Sequence, residues 1–564
     1  MKKTLYIPLV VVCILLLNVV MIYAQGSLPE VEKVTLFTDR STYIAGEEVC
    51  FSAFIQQENH TPALSTILYV QVISSEGRSF TAGKFAIADF KSSGCLTIPD
   101  EIVTGIYFIR AYTKYMRNAG PESYAILSLK IINPRRNEVL PGSDTLASSQ
   151  GTNNNEISSQ VNITVDKEDA LPGETVTATI HSLLPAQGTF TGLTLSVVPS
   201  DAAPRNEISF PGKSRIVDKL MYIPEIYGLT VSGMVKHDQK PIANVPVNLS
   251  LIEKYHDFQS EVTDSTGRFL FLLPDLDKVA DLYIGLNDDN GEPRELLVDN
   301  EYCMLPSKLP NPVFSLSESE RKVALRMAQN REISRIYNPD SLQGKESNSN
   351  HVIKHPFYGK PVYVLYLKDY VQLPTLEEYF NELPGYVKVR RKAGKKYFKI
   401  YGDQPEMETH EPLILVDGVY IDDPEKILEA PPANINRIEM VNTPYLKGDV
   451  LFGGIISIIT NKGDLAGIDL PEAGFFVSYH FLDPVYSGNN FIADNKLPDS
   501  RNTIYFQPQL KLDENNKAVI KFTAPPTPGT YSVVLNGITR HGTVFTINRT
   551  FRVPGLEFGS STGR

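Results

Sequence analysis

The sequence has no tryptophan and only four cysteines in 564 residues. Cys13 sits in an N-terminal apolar run, which leaves Cys50, Cys95 and Cys303. So few cysteines define no disulfide framework. Cys50 and Cys95 either pair or stay as buried thiols. The nine histidines supply no His-Glu-x-x-His, and no Cys-x-x-Cys occurs, so no zinc site is expected. A Gly-x-Ser-x-Gly elbow and a phosphate-binding loop are also missing. Asp422, Asp423 and His410 lack a spacing that implies cooperation. The chain is therefore expected to be no enzyme and to need no cofactor, and a hydrolase is the least favoured reading. Its formal charge of −11 excludes general nucleic-acid binding, which needs a basic face to neutralise phosphates.

Only one long apolar run is present, from Leu5 to about Val20, behind Lys2 and Lys3 and ahead of Ala24. Basic start, apolar core and small closing residue give a signal peptide over 1–24, with an uncleaved anchor as the rival reading. Cys13 lacks the small residue that precedes a lipidated cysteine. The expected location is the Gram-negative periplasm or outer membrane, with peripheral membrane association a further expectation.

What is abundant is β-forming: 28 Tyr, 26 Phe and many Val, Ile and Thr, punctuated by 39 Pro and 37 Gly. The fold class expected is mainly β: tandem sandwiches, an α+β domain and short connecting helices. Val31 to Asp39 alternates at period two, and a turn around Gly46 leads into a strand from Val49. Asp39, Gly46 and Val49 recur as Asp166, Gly173 and Val176, an offset of 127 residues. Two domains of one type are the economical account. They are expected over 25–135 and 159–225, joined by a polar linker over 136–158. Gly105 to Tyr112 reads as a strand with Phe108, Arg110 and Tyr112 on one face.

The segments LFTDRSTYIAGEEVCFSAFI, GIYFIRAYT and ITVDKEDALPGETVTATI resemble the macroglobulin-type (MG2-like) immunoglobulin-fold domains of the α2-macroglobulin superfamily. That resemblance implies Ig-like sandwiches. The superfamily's thioester tetrapeptide Cys-Gly-Glu-Gln is absent, so a covalent protease trap is not implied. Residues 226–310 resemble a carboxypeptidase regulatory-like, transthyretin-like sandwich, an accessory module without peptidase residues. Within it, Thr263-Asp-Ser-Thr-Gly-Arg-Phe predicts a hairpin.

Residues 311–360 are expected to be a helical connector. Ser317-Glu-Ser-Glu320 is a capping box, and Val323, Met327, Ile333 and Ile336 form the predicted buried stripe of a helix over 315–338. A second cap, Thr375 to Glu378, opens a short helix that Pro384-Gly385 ends. Residues 386–401, YVKVRRKAGKKYFKIY, form a basic hairpin with seven Lys or Arg in twelve positions. Lys388, Arg390, Arg391, Lys392, Lys395 and Lys396 are the candidate interaction patch for an acidic partner or lipid head groups. A solvated edge that resists aggregation is the plainer reading, with Val387, Val389, Tyr397 and Phe398 turned inward.

Residues 361–470 contain a Val416-to-Val419 turn, an Ile435-to-Val441 strand and a Gly454-to-Gly463 segment. In this order they resemble the plug domain of TonB-dependent outer-membrane receptors. The resemblance implies an envelope partner, with a TonB-dependent receptor as one candidate. Such plugs precede barrels of about 22 strands. Here residues 471–557 read instead as one more Ig-like sandwich, whose Pro528-Gly-Thr-Tyr repeats the strand opening of Gly105 to Tyr107. The function expected is non-catalytic binding in the cell envelope, beside TonB-dependent uptake. A structural or adhesive stalk is the alternative.

Overall fold

The computed structural model describes residues 32–57, 65–143, 159–205, 220–252, 257–274, 279–286, 293–305, 309–337, 356–383, 385–470, 474–488 and 497–555. The signal-peptide residues and most of the expected linker lie outside these. The chain is mainly β and divides into two units. One comprises residues 1–226, 303–344 and 483–564; the other comprises 227–302 and 345–482.

The first unit begins with a sandwich. A three-stranded sheet of Glu32–Thr38, Glu48–Gln57 and Lys91–Thr97 faces a five-stranded sheet. The five-stranded sheet runs Thr42–Ile44, Ala125–Ile132, Gly105–Tyr112, Ile67–Ile73, Ser79–Ala86. Gly105–Tyr112 is buried on both faces, so its alternation marks two packed sides rather than a wet one. Residues 136–143, expected as linker, are instead tied down. Leu140 N–H donates to Thr104 O at 2.7 Å and Ser143 N–H to Asn311 O at 2.8 Å.

The second sandwich is built from two distant stretches of chain. Thr175–Ser182 pairs on one side with Val161–Val165 and on the other with Lys517–Thr523. Phe190–Pro199 lies between Tyr505–Gln507 and Gly529–Thr539, with Val544–Val553 outermost. A single core joins Val176, Leu195 and Val197 to Phe522, Tyr531 and Phe551. The expected separate C-terminal sandwich at 471–557 is thus corrected. Its strands cannot bury their apolar faces alone and complete the domain that residues 159–199 begin.

The two sandwiches share a register. Leu36 lies opposite Ala53 and Ile163 opposite Ile180, both displaced by the same 127 residues. Where Ile67–Ile73 turns through a few residues into Ser79–Ala86, the second sandwich inserts residues 200–504 between the matching strands. Closure entropy rises only slowly with loop length, which makes so long an insertion tolerable.

Between the stretches lies the predicted helix, Glu318–Tyr337. Its capping box is reciprocal: Glu320 N–H donates to Ser317 Oγ at 3.2 Å, and Ser317 N–H to Glu320 Oε2 at 2.8 Å. Ala324, Met327 and Arg331 are buried; of the predicted stripe Met327 is buried and Val323 and Ile333 are half-buried. Ile336 is exposed, because only the N-terminal half packs on Ile44 and Ala202. Residues 303–305, expected in the regulatory-like domain, belong to the first unit. The fully buried Arg110 donates from Nε to Gln71 Oε1 at 3.0 Å, from Nη1 to Leu305 O at 3.2 Å, and from Nη2 to Cys303 O. Carbonyls and an amide oxygen thus solvate a buried cation.

The second unit contains a sandwich of two four-stranded sheets. Thr230–His237 pairs with Lys240–Pro241, Arg268–Leu272 and Glu295–Val298. The other sheet runs Asp257–Val262, Pro246–Ile252, Val279–Leu286, Phe475–His480. Its last strand thus also comes from the residues expected to form the C-terminal domain. The predicted Thr263–Phe269 turn is present, with Asp264 Oδ1 accepting from Thr266 N and Arg268 N. The strands flanking it lie in different sheets, so it is an arch rather than a hairpin. Thr263 Oγ1 bonds Ile242 O and Val245 N, which steers the chain across.

Residues 356–470 form a mixed sheet in the order Tyr363–Tyr366, Ile435–Val441, Ile455–Thr460, Leu413–Val416, Val419–Tyr420. The helices Leu376–Glu382 and Pro424–Glu429 pack with it, each capped as its sequence dictates, by Thr375 and Asp423. Asp417 and Gly418 both have positive φ, as a tight turn between adjacent strands needs. The buried Asp417 carboxylate also accepts from Thr460 N, Thr460 Oγ1 and Leu465 N, which locks the segment after the sheet.

Candidate functional site

The basic hairpin is built from Val387–Lys392 and Lys395–Ile400, joined by a two-residue turn at Ala393 and Gly394, both at positive φ. A turn of this kind matches strand twist. Val387, Val389, Phe398 and Ile400 are buried, and the Phe398 ring meets Phe380 edge-on at 4.8 Å. Tyr397, expected inward, is half-buried and points the other way. It pairs with Arg390, and paired residues share a face.

The register then fixes where the charge goes. The outward face carries Lys388 opposite Lys399, Arg390 opposite Tyr397, and Lys392 opposite Lys395. On the other face, Arg391 lies opposite Lys396, beyond the last core residue. Three of six pairs therefore set like charges directly across from one another. Like charges so placed destabilise a ribbon. A solvated protective edge needs the charge but gains nothing from pairing it with its like. The plainer reading thus leaves this cost unexplained.

Near the base, the cost is partly relieved. Lys388 Nζ donates to Asn381 O, Lys399 Nζ to Met407 O at 2.9 Å, and Lys396 Nζ meets Glu377 at 2.7 Å. The Arg390 guanidinium donates to the Tyr401 hydroxyl at 3.0 Å. At the tip, no hydrogen bond or ion pair joins the side chains of Arg391, Lys392 or Lys395 to any described residue, and all three are exposed. A Cβ added at Gly394 would meet nothing within 4 Å, while, two residues on, the Lys396 amide donates to Glu425 Oε1 at 3.4 Å.

The structure therefore splits the predicted patch. Arg391, Lys392 and Lys395 form a free tip, Arg390 leans on Tyr401, and Lys388 and Lys396 are tied to the body. Lys399 belongs to the outward face and was missed. Folding the sequence about Ala393-Gly394 would have placed it opposite Lys388.

Glu48, Cys50 and Cys95 have ligand-type atoms within 4.8 Å of one another. The two sulfurs are joined in a disulfide, which settles the alternatives left open for these cysteines and leaves one carboxylate, not a ligand set.

No protein-family model matches the chain, and no characterised relative matches it by sequence. Among solved structures, the native conformation of Escherichia coli alpha-2-macroglobulin aligns over 93% of this chain and 40% of its own, at 10% identity and a TM-score of 0.24. Dimeric latent PorU from Porphyromonas gingivalis aligns over 48% and 33%, at 11% identity and 0.16. The Yersinia pseudotuberculosis adhesin InvE aligns over 47% and 57%, at 11% identity and 0.13. The chain spans about two fifths of the macroglobulin's length. At these scores the likenesses assign no function.

Proposed function

We propose that this chain is a non-catalytic accessory protein of the bacterial cell envelope, whose β-sandwiches support a cationic hairpin that meets an anionic partner. The observation that carries the reading is the like-charge register at Lys392–Lys395, Arg391–Lys396 and Lys388–Lys399. An opposing negative surface turns that repulsion into binding energy. Export rests on the Lys2-to-Ala24 pattern. A TonB-dependent receptor as partner rests on the plug-like segments alone.

Retention on immobilised polyglutamate tests the reading. The full chain, although acidic overall, is expected to bind at low salt and elute as ionic strength rises, since screening weakens exposed charges. The combined variant Arg391→Ala, Lys392→Ala, Lys395→Ala is expected to flow through. A wild-type chain that flows through at low salt would sink the proposal.

A further inference from the structure

Resting on that reading, we infer that the anionic partner is a membrane surface, and that the hairpin tip seats among the head groups of anionic phospholipids. The shape of the site favours this occupant. Arg391, Lys392 and Lys395 are exposed side chains at the tip of a two-stranded ribbon, beside a turn with open space around Gly394. The backbone positions that carry its cations lie about 5 Å apart across the strands and about 7 Å apart along one face of each. A protein partner must fix its carboxylates to match such an array, whereas lipid head groups rearrange around each cation.

Aromatic residues strengthen the choice. Tyr386 and Tyr401, where the hairpin leaves the body, are 44% and 42% exposed, and Tyr397 lies among the outward cations. Tyrosine with lysine and arginine suits a membrane–water boundary, where rings sit at head-group depth and cations reach phosphates. The small Ala393-Gly394 turn leads, with open space around Gly394. The chain's net charge of −11 opposes its approach to an anionic surface as a whole, which makes the clustered cations of the hairpin the favourable point of contact. Among the described residues no helix is long and apolar enough to cross a membrane.

The test is co-sedimentation of the full chain with vesicles of phosphatidylcholine, with or without about 30% phosphatidylglycerol, a proportion that gives an anionic surface potential. The full chain is expected to pellet with the anionic vesicles, to stay in solution with neutral ones, and to be released by salt. Each basic residue near such a surface contributes roughly fivefold in affinity. Arg391→Glu, Lys392→Glu, Lys395→Glu should thus weaken binding on the order of 100-fold or more. A control with equal charge change, Lys511→Glu, Lys517→Glu, Lys521→Glu, reverses exposed lysines of the second sandwich and should bind as wild type. Circular dichroism confirms that both variants fold. Equal binding to neutral vesicles, or equal loss in the control, overturns the inference. Retention on polyglutamate without vesicle binding also overturns it, and leaves an acidic protein as the partner of the same site.

Discussion

The two copies of the Asp-to-Gly turn make the same local bonds in opposite surroundings. Asp39 Oδ1 accepts from Cys50 N at 3.2 Å, and Asp166 Oδ1 from Thr177 N at 2.8 Å. Glu47 Oε2 accepts from Ile44 N at 2.7 Å, and Glu174 Oε2 from Leu171 N at 2.8 Å. Arg40 pairs with Glu47 at 2.9 Å, and Lys167 with Glu174 at 3.3 Å. Both turns use a glycine at positive φ, Gly46 and Gly173.

The surroundings differ. In the first copy the spare oxygens reach the second sandwich, Asp39 Oδ2 to Thr503 Oγ1 and Glu47 Oε1 to Asn502 Nδ2 at 2.6 Å. Tyr43 donates to Asp39 at 2.7 Å, and burial raises its hydroxyl far above the ordinary tyrosine value. The second copy faces solvent, where the Leu171 amide and Lys167 hold the Glu174 carboxyl below its usual range. One motif therefore serves as a turn in both places and as an interdomain clamp in only one.

Asp39→Ala tests the comparison most severely. It takes the acceptor from the Cys50 amide and from Thr503 Oγ1 and removes a carboxylate from beside the buried Arg40 guanidinium, while the Tyr43 hydroxyl keeps Arg40 O. It should cost about 3–5 kcal/mol in urea denaturation, against under about 1 kcal/mol for Asp166→Ala. Equal losses would mean that the contact to Thr503 and the burial of this turn contribute little.

Reduction should discriminate next. Cys50–Cys95 closes a 45-residue separation between neighbouring strands of one sheet of the first sandwich, and Thr177 faces Lys521 at the matching place in the second. Loop-closure entropy makes the bridge worth about 4 kcal/mol, so a reductant should lower the first sandwich's melting temperature and spare the hydrogen-exchange protection of the second.

Gly46→Ala and Gly173→Ala both force a Cβ into the left-handed region, at about 1–2 kcal/mol. A Cβ at Gly46 also lies within 2.5 Å of the Asp100 and Arg331 side chains, whereas one at Gly173 meets nothing. Gly46→Ala should be the costlier by about 1 kcal/mol in chemical denaturation, the low end of overpacking, because the atoms met are the ends of flexible side chains that can shift.

The smallest difference is expected where the copies agree. Tyr107 donates to Val103 O and Tyr531 to Thr527 O, each at 2.8 Å, and burial pushes both hydroxyls up to about 12. A raised folded value means that this stability is intact below about pH 10 and lost as pH climbs through about 12. Each Tyr→Phe change should cost about 1 kcal/mol at neutral pH and blunt the alkaline melting transition equally in both sandwiches.

The hairpin lies between these cases. Its charge, its turn and its inward Val387, Val389 and Phe398 were legible in the sequence. The pairing that stacks Lys392 on Lys395 followed only once the two-residue turn was fixed. Arg110 was legible as a strand residue but not as a buried clasp, because its partners, Gln71, Cys303 and Leu305, come from other segments.

The sequence by itself determined the local devices: the 127-residue repeat of Asp and Gly, the caps at Ser317 and Thr375, the Asp417-Gly418 turn and the period-two strands. These depend on a few neighbouring backbone groups and side chains, so composition over several residues is enough. The partnership of 159–199 with 505–553 was hinted at by the Gly105 and Gly529 openings, yet only the tertiary structure decided it. So did the choice of which Asp-to-Gly turn is buried. Both follow from apolar area buried jointly by segments hundreds of residues apart, a sum that no local window contains.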